Sequence, residues 1–519
     1  MIIATGNQLT AKRLASQVVA CILILCGFSS HAQFQNILID QFANETAIAI
    51  DPLHPERMVA GANVDNYYFS TDSGLTWNAS HLSGTWGNAG DPNVVTDSLG
   101  SFFYFHLVPA IDQIVSQKTS TFPPSWNGGS AMGQQVPKLQ DHDWAYADWT
   151  NHYLYCTWTQ YDNYPPVSPT DSTHILLCAS YDHGQTWTTT KRLDETGGDC
   201  NYLDVIEPRP YSDNSGNVYV TWEDGSGIWM DKSSDTGSTW LAHDQFVTNV
   251  PGGVYYSVPG IDRVRCTPFI GIDRSNGPHR GTIYVNWSDQ RNGMNNSDIW
   301  IISSTDSGQT WTAPLRVNDD VTVTHQFLNA MAIDPVSGNI YVTFFDRRNY
   351  ADDSTDVYLA YSNDGGATFT NLKISAQGFM PNDVFVGDYI SIAAYNGIVR
   401  PCWTSVNSFN VSEVYTAIIN GNILTGIPSP ATFIDQTFSV QPNRVFQNAT
   451  VKFFMAESGN AEISVFDLPG KKQQTVFEGF LPAGEQSLDL HAENLLPGMY
   501  ICRLATSRAE KTAKFVVAK

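Results

Sequence analysis

A short turn sequence recurs along the chain and limits the folds open to it. The pattern is Ser-x-Asp-x-Gly-x-Thr followed by Trp or Phe, and its copies begin at Ser70, Ser180, Ser233, Ser304 and Ser362. In a hairpin turn, such an Asp accepts backbone N–H bonds, the Gly adopts a positive φ and the aromatic ring packs back on the sheet. The intervals are 110, 53, 71 and 58 residues, so the first interval spans two repeats. The sequence therefore predicts one hairpin at regular spacing, with one decayed copy at 116–126.

Two strand patterns share this period. An apolar strand ending in Asp occurs at 47–51, 94–97, 144–148, 208–213, 269–273 and 330–334, and a seventh copy at 389–394 lacks the Asp. An alternating strand occurs at 57–62, 102–107, 153–158, 218–222, 283–287, 340–344 and 398–403. A third strand precedes each Asp turn and a fourth follows it, with no helical periodicity. These patterns predict an all-β chain whose main domain, 33–427, is a seven-bladed β-propeller, with six blades as the alternative.

The turn motif resembles the Asp-box (BNR) repeat of sialidase-like propellers over about residues 40–425. The resemblance implies a propeller fold, and it implies little about activity because the same turns occur in enzymes and non-enzymes. Sialidases have six blades and an Arg-Ile-Pro motif in the first blade. This chain has seven predicted blades, and its nearest string is Glu207-Pro-Arg-Pro210 in the fourth. Both departures weigh against sialic-acid cleavage.

The last ninety residues form a separate unit. Residues 428–519 alternate apolar and polar positions between Pro-Gly turns, which predicts a small Ig-like β-sandwich. The segment resembles the C-terminal sorting domain of the type IX secretion system. The residues that carry the resemblance are Gln441-Pro-Asn443, 462–467, Leu496-Pro-Gly-Met-Tyr500 and the basic strand 511–519. The resemblance implies handling by that secretion machinery and release or attachment at the outer cell surface.

The amino terminus also predicts export. Lys12-Arg13 precede an apolar run at 18–28 and then Ser30-His31-Ala32, the arrangement of a signal peptide over 1–32. No later segment has the roughly 18 apolar residues of a membrane-spanning helix. The net charge is −23, with the acidic excess between 33 and 427, which disfavours a nucleic-acid partner. We therefore expect a secreted or surface-exposed protein.

Blade geometry places a functional site where the fourth strand of one blade connects to the first strand of the next. These junctions converge on the central funnel and differ from blade to blade. Counted from each closing Asp, Asp91, His142, Glu207 and Thr267 share one position at the strand mouth. The candidate catalytic residues, which offer carboxyl, imidazole or phenol groups for proton transfer, are His142, Asp143, Glu207, Asp388 and Tyr389.

Candidate binding residues are a Trp that can stack on a sugar and arginines that bind carboxylates. They are Trp144, Arg209, Arg265, Arg291 and Arg347. Each candidate also has a structural interpretation, as core packing or ion pairing between strands. No cofactor or metal site is expected, and the acidic loop 352–356 is a weak signal for Ca²⁺.

These observations predict recognition of an extracellular glycan or glycoprotein at the funnel. Whether cleavage follows stays open at this point. An enzyme here is a sialidase-like glycoside hydrolase or a polysaccharide lyase, and the alternative is a non-catalytic adhesin or scaffold that binds through a propeller face.

Overall fold

The computed structural model describes residues 34–421, except 169, 200–203 and 262, and residues 438–518, except 456–458, 468–470, 483 and 507–509. The predicted signal peptide lies outside these ranges, as does the start of the predicted second domain. The described residues form 38 β-strands and no α-helix, which confirms the predicted all-β fold. No helix long and apolar enough to cross a membrane occurs among them.

Seven four-stranded antiparallel sheets occupy residues 35–420 of the described chain. Sheet 7 includes the first strand of the chain, β1 (Gln35–Gln41). Sheet 1 contains β2 (Ala47–Ile50), β3 (Met58–Ala62), β4 (Asn66–Ser70) and β5 (Asn78–His81). Sheet 2 contains β6 (Gly90–Thr96), β7 (Phe102–Leu107), β8 (Ile114–Thr119) and β9 (Ser130–Met132). Sheet 3 contains β10 (Leu139–Asp148), β11 (Tyr153–Tyr161), β12 (Thr173–Ser180) and β13 (Lys191–Arg192). Sheet 4 is β14 (Ile206–Ser212), β15 (Val218–Glu223), β16 (Gly227–Ser233) and β17 (Gln245–Asn249), and a separate hairpin of β18 (Tyr255–Tyr256) and β19 (Val264–Arg265) follows it. Sheet 5 contains β20 (Phe269–Ile272), β21 (Ile283–Asp289), β22 (Asp298–Ser304) and β23 (Leu315–Arg316). Sheet 6 contains β24 (Gln326–Ile333), β25 (Ile340–Asp346), β26 (Asp356–Ser362) and β27 (Thr370–Lys373). Sheet 7 contains β28 (Ser391–Tyr395), β29 (Ile398–Val406), β30 (Ser412–Asn420) and β1.

The seven sheets form a closed ring around a central channel. The first strand of each sheet contacts the first strand of the next, and β28 of sheet 7 contacts β2 of sheet 1. Sheet 7 is completed from the other end of the domain, because β1 pairs antiparallel with β30. The ring is therefore closed by backbone hydrogen bonds between the beginning and the end of the domain.

Aromatic side chains from the second strands fill the space between neighbouring sheets. Trp158, Trp222, Trp287 and Trp403 occupy β11, β15, β21 and β29 and are almost completely buried. Alternation along a strand sends such rings into one inter-sheet layer, and burying a large aromatic side chain contributes roughly 2–3 kcal/mol. Because the same aromatic position recurs in several repeats, those repeats form sheets that pack against their neighbours in a similar way.

The recurring turn forms the same hydrogen-bonded structure five times. In each copy the Ser hydroxyl donates to the Asp at 2.7–2.9 Å and accepts the Gly N–H at 2.8–2.9 Å. The Asp accepts the Thr N–H at 2.7–3.0 Å and the Thr hydroxyl at 2.6–2.7 Å. The aspartates of this motif are thus occupied within their own turns.

The C-terminal residues form two sheets with a common core. One sheet contains β31 (Ser439–Gln441), β33 (Asn448–Met455) and β36 (Gly484–His491). The other contains β32 (Arg444–Val445), β38 (Glu510–Val517), β37 (Gly498–Thr506), β34 (Gly459–Asp467) and β35 (Lys472–Leu481). Val451 and Phe453 of the first sheet share a buried cluster with Ile463 and Leu504 of the second. The Ig-like classification of this unit stays a prediction.

Candidate functional site

Equivalent backbone positions bring different side chains to one mouth of the channel. Six residues before the closing Asp of sheets 1 to 6 stand Glu45, Asp91, His142, Glu207, Thr267 and Leu328. All but Thr267 have φ between 49° and 59°, and four of them lie at interruptions of the strand register. A positive φ costs a non-glycine residue about 1–3 kcal/mol, so the surrounding ladder must hold it. We call the end of the channel ringed by these residues the mouth.

Arg265 connects three of the predicted catalytic residues. It comes from β19, is 1% exposed, and its Nη1 lies 2.5 Å from His142 Nε2 and 3.3 Å from Glu207 Oε1. Its Nη2 lies 3.3 Å from Asp388 Oδ2. The hairpin that follows sheet 4 therefore supplies the cation that gathers side chains from sheet 3, sheet 4 and the segment before sheet 7.

Two further arginines complete this charged network. Arg263 Nε lies 2.6 Å from Asp388 Oδ1, and Arg209 Nη2 lies 2.6 Å from Glu207 Oε2. Each of the two carboxylates thus contacts two guanidinium groups, because Arg265 contacts both. Buried charges require such partners. We call Glu207, Asp388 and the three arginines the arginine-paired half of the mouth.

Aromatic residues form the channel wall below this half. The Arg209 guanidinium lies over the Trp144 ring at 4.0 Å and over the Phe269 ring at 5.2 Å. Trp144 contacts Tyr389 edge to face at 5.5 Å. The Tyr389 hydroxyl donates to the Pro92 carbonyl at 3.1 Å, and burial raises the pKa of Tyr389 well above its ordinary value. Trp144 and Tyr389 are therefore engaged in packing in this structure.

His142 is held as a neutral imidazole. Burial, and after it the positive charge of Arg265, lowers the pKa of His142 well below its ordinary value. A guanidinium only donates, and Arg265 Nη1 lies 2.5 Å from Nε2 and 3.2 Å from Nδ1, so the imidazole accepts from Arg265. Nδ1 lies 3.4 Å from Glu207 Oε1. The pair is placed for proton exchange between an imidazole and a carboxylate.

Four carboxyl groups form the other half of the mouth: Glu45, Asp91, Asp141 and Asp143. Among the described residues, the ion pairs with Lys or Arg at the mouth go to Glu207 and Asp388 and to none of these four. We call them the carboxyl half.

Burial keeps protons on the carboxyl half. Burial, with the nearby Asp388 charge, raises the pKa of Glu45 from 4.5 to about 7. Burial also raises the pKa of Asp91, Asp141 and Asp143 well above the ordinary value, with a neighbouring carboxylate as a further cause for each. A carboxylate oxygen of Asp91 lies within 4.8 Å of one of Asp141. Two buried carboxyl groups this close do not both ionise readily, so protonation of one of them is favoured.

The part of the mouth that solvent reaches combines aromatic, cationic and acidic groups. Tyr255 is 45% exposed and Tyr164 is 47% exposed. The Arg263 side chain is 36% exposed, and Asp91 and Asp141 are half-buried. We call these five residues the rim.

The structure brings eight of the ten predicted site residues to the mouth and its wall. They are His142, Asp143, Trp144, Glu207, Arg209, Arg265, Asp388 and Tyr389. Most of them are buried beneath the rim. Their catalytic and binding roles remain predictions.

The remaining two predicted residues are engaged elsewhere. Arg291 Nη2 lies 2.6 Å from Asp289 Oδ2, and its guanidinium lies over the Trp300 ring at 4.6 Å. Arg347 Nη2 donates to the Pro259 carbonyl at 2.7 Å, and its Nη1 lies 3.2 Å from Asp353 Oδ1. Arg347 thereby anchors the loop between β18 and β19, and Arg265 lies on β19.

The sequence candidates omitted Glu45 and the rim tyrosines Tyr164 and Tyr255. Glu45 stands six residues before Asp51, the spacing that identified Asp91, His142 and Glu207. Extending the same count to the first sheet would have found it. Asp141 directly precedes the candidate His142, and Arg263 is two residues before the candidate Arg265. Their partial exposure at the rim makes both accessible to a ligand.

Comparison with known families identifies the C-terminal unit. Residues 439–518 match the secretion system C-terminal sorting domain. The predicted type IX sorting domain is confirmed, and with it export to the outer cell surface or the medium.

Comparison with solved structures concerns the larger domain. An α-L-arabinofuranosidase of glycoside hydrolase family 93 from Fusarium graminearum, in complex with arabinobiose, is 11% identical, covering 63% of this chain and 92% of that chain with a TM-score of 0.44. An α-L-arabinanase from Penicillium chrysogenum is 14% identical, covering 63% and 98% with a TM-score of 0.41. The NanB sialidase of Streptococcus pneumoniae is 9% identical, covering 70% and 83% with a TM-score of 0.41.

Proposed function

We propose that this exported protein recognises an extracellular glycan at the mouth of its channel. The rim carries the proposal, because it gathers on one opening the groups that a sugar requires. Tyr164 and Tyr255 offer exposed rings for the apolar face of a pyranose or furanose. Asp91 and Asp141 offer acceptors for hydroxyl groups, and Arg263 offers donors. A concave opening with few convergent polar groups is typical of a small-ligand site.

Arg263 is the rim residue that selects among glycans. The chain carries 51 acidic and 28 basic residues, so its overall field repels anions. Arg263 contacts Asp388 through Nε, and its side chain is still 36% exposed. A glycan carboxylate that binds there gains a fork of N–H donors. Glycans with uronic or sialic acids are therefore expected to bind better than neutral ones.

Cleavage of the same glycan is the second candidate function, and one observation favours it. His142 is neutral, with Nδ1 only 3.4 Å from a Glu207 carboxylate oxygen. Such a pair can take a proton from a bound sugar or return one, as a hydrolase or a lyase requires. The non-catalytic alternative is an adhesin or scaffold that binds the glycan without cleaving it.

The experiment uses the full chain, immobilised, and a panel of sialylated, uronic-acid and neutral glycans. Retention is measured by chromatography and products by mass spectrometry. Retention with an unchanged mass indicates a binding protein. A product heavier by one water in total indicates hydrolysis, and an unsaturated product without added water indicates a lyase. No retention and no product from any glycan would refute the proposal.

Two substitutions locate the site. Arg263→Ala and Tyr255→Ala are expected to reduce retention by about tenfold each, since each loses a direct contact worth roughly 1.4 kcal/mol. Asp388 keeps Arg265 as a partner in the first variant. The matched control is Arg280→Ala, an exposed arginine between β20 and β21 at the opposite end of sheet 5. Equal losses in all three variants would place the binding surface elsewhere.

A further inference from the structure

The central channel continues below the mouth as two cavities. The upper cavity has a volume of about 170 Å³ and lies beside Arg209. The lower cavity has a volume of about 180 Å³, and Ile50 and Tyr395, which line it, are the last residues of β2 and β28. Because the mouth lies where these first strands begin, the lower cavity is at the opposite end of the channel. Four residues line both cavities, which are therefore consecutive parts of one channel: Ile48, Val95, Tyr146 and Tyr211.

Two buried polar groups of the upper cavity lack a partner. Arg209 is 2% exposed, and Ser391, at the start of β28, is 6% exposed. Both residues line the upper cavity, and neither Arg209 Nε nor Ser391 Oγ has a hydrogen-bond partner among the residues that the structure describes. A buried donor without an acceptor is unfavourable. A ligand that brings an acceptor oxygen into the upper cavity is therefore favoured.

The charge around Arg209 favours an acceptor that is an anion. Glu207 and Asp388 are the carboxylates that pair with the three arginines of the mouth, so two negative charges stand against three positive ones. A carboxylate at Arg209 Nε and the Ser391 hydroxyl balances the remaining charge. The same group supplies the acceptor that these two donors lack, in a charge-assisted hydrogen bond.

The lower cavity suits an apolar group. The Tyr146 and Tyr211 rings lie 4.2 Å apart, and the Trp149 and Tyr395 rings lie 5.8 Å apart in an edge-to-face contact. All four line the cavity, and most of the other lining residues are aliphatic. An apolar cavity of about 150 Å³ accommodates benzene. The lower cavity therefore has room for one ring or for a short hydrocarbon chain.

Arg274 places a positive charge at the lower opening. Its Nη1 donates to the Tyr146 hydroxyl and its Nη2 donates to the Thr150 hydroxyl, both at 2.5 Å. Its Nε donates to Asn214 Oδ1 at 2.8 Å, and Asp148 Oδ1 lies 3.6 Å from Nη2. These contacts fix the guanidinium beside the lower cavity. Its charge favours the entry of an anion there, against the negative field of the whole protein.

We propose that the channel below the mouth binds a small organic monocarboxylate with an apolar tail. The carboxylate lies against Arg209 and Ser391 in the upper cavity, and the tail extends among the aromatic rings of the lower cavity. The ligand enters from the end opposite the mouth, because the Arg209 guanidinium, 4.0 Å over the Trp144 ring, separates the upper cavity from the mouth. This site is separate from the rim and is proposed independently of the glycan.

Calorimetric titration of the full chain tests the site in the absence of glycan. The probe is 4-phenylbutanoate, and its neutral match is 4-phenylbutan-1-ol, which has the same tail and no charge. We expect one 4-phenylbutanoate per chain with a dissociation constant below about 1 mM. The alcohol is expected to bind at least about tenfold more weakly, since it gives Arg209 no anionic acceptor.

Variants decide whether the probe lies in the channel. Val95 lines both cavities and is half-buried, so Val95→Phe fills their junction and is expected to weaken binding by at least about tenfold. Ser391→Ala removes one hydroxyl and is expected to weaken binding by about fivefold. The matched control is Val321→Phe, at a valine that is 96% exposed between β23 and β24, and it is expected to bind as the unsubstituted protein does.

Thermal melting shows whether each variant is folded, and Ser391→Ala decides the question if Val95→Phe is not. Absence of binding at about 1 mM, equal affinity for the acid and the alcohol, or binding that the channel variants retain would overturn the proposal.

The channel site and the glycan site fail separately. Tyr255→Ala is expected to reduce glycan retention and to leave 4-phenylbutanoate binding unchanged, whereas Val95→Phe is expected to do the reverse. A protein that retains glycan and binds no 4-phenylbutanoate loses only the channel site.

Discussion

Arg265 is the residue on which the arginine-paired half depends. It is fully buried and contacts His142, Glu207 and Asp388. Arg265→Met keeps a side chain of similar length and removes the charge. Because two buried carboxylates each lose one of two cationic partners, we expect the free energy of unfolding to fall by about 3 kcal/mol. Denaturant titration followed by tryptophan fluorescence measures the loss.

An ion pair that solvent reaches on both sides provides the comparison. Lys138 Nζ lies 2.7 Å from Asp162 Oδ1, and the two side chains are 38% and 25% exposed. Solvent screens such a pair, so Lys138→Met is expected to cost less than about 1 kcal/mol. Similar losses in the two variants would mean that Arg265 contributes mainly through packing.

At the residue scale, the sequence predicted the site residues that stand at a repeated position of each sheet, and it did not predict the contacts made by a residue outside the repeat. Counting back from the closing Asp found Asp91, His142 and Glu207 because the bulge recurs at that spacing. The same count did not predict that Arg265 would reach three of the candidates. Within the part of the chain that the structure describes, this hairpin follows sheet 4 and no other sheet of the ring, so the repeat gives no second copy to show where it packs.

The recurring turn is the element that most clearly links sequence to stability. In the copy that begins at Ser304, Asp306 accepts the Thr310 N–H and hydroxyl and the Ser304 hydroxyl. Asp306→Ala removes all three bonds, and we expect it to lower the free energy of unfolding measurably. Asp306→Asn keeps one acceptor oxygen and is expected to cost about half as much. Equal costs for Asn and Ala would show that the turn depends on charge rather than on the paired acceptors.

At the element scale, the pattern was right about strand type and incomplete about pairing. It predicted a fourth strand after each Asp turn, which sheets 1 and 3 to 6 contain. In sheet 7 the fourth strand is β1, from the start of the domain. A period read along the chain cannot show that its two ends pair, because ring closure is a property of the whole set of sheets.

At the scale of the whole molecule, negative charge is spread unevenly between exposed and buried carboxyl groups. The turn aspartates are exposed or half-buried and are well bonded, and hydrogen bonds from Thr239 and from Thr310 lower the pKa of Asp235 and of Asp306 to about 2. The carboxyl half of the mouth is buried at Glu45 and Asp143 and half-buried at Asp91 and Asp141, and desolvation raises the pKa of all four. The two groups therefore respond to acid with opposite signs.

The pH dependence of stability follows from these signs and is the last prediction. Glu45 has a pKa of about 7 in the folded protein against 4.5 ordinarily, so the folded state holds its proton more tightly. Stability therefore decreases as the pH rises from about 4.5 to about 7. The turn aspartates contribute above about pH 3.8, and their contribution is lost as the pH falls toward 2. We expect the highest melting temperature between about pH 4 and 5, and a flatter profile between pH 5 and 7 for Glu45→Gln. A melting temperature that increases steadily from pH 5 to 8 would contradict this and would show that Glu45 is ionised in the folded protein over that range.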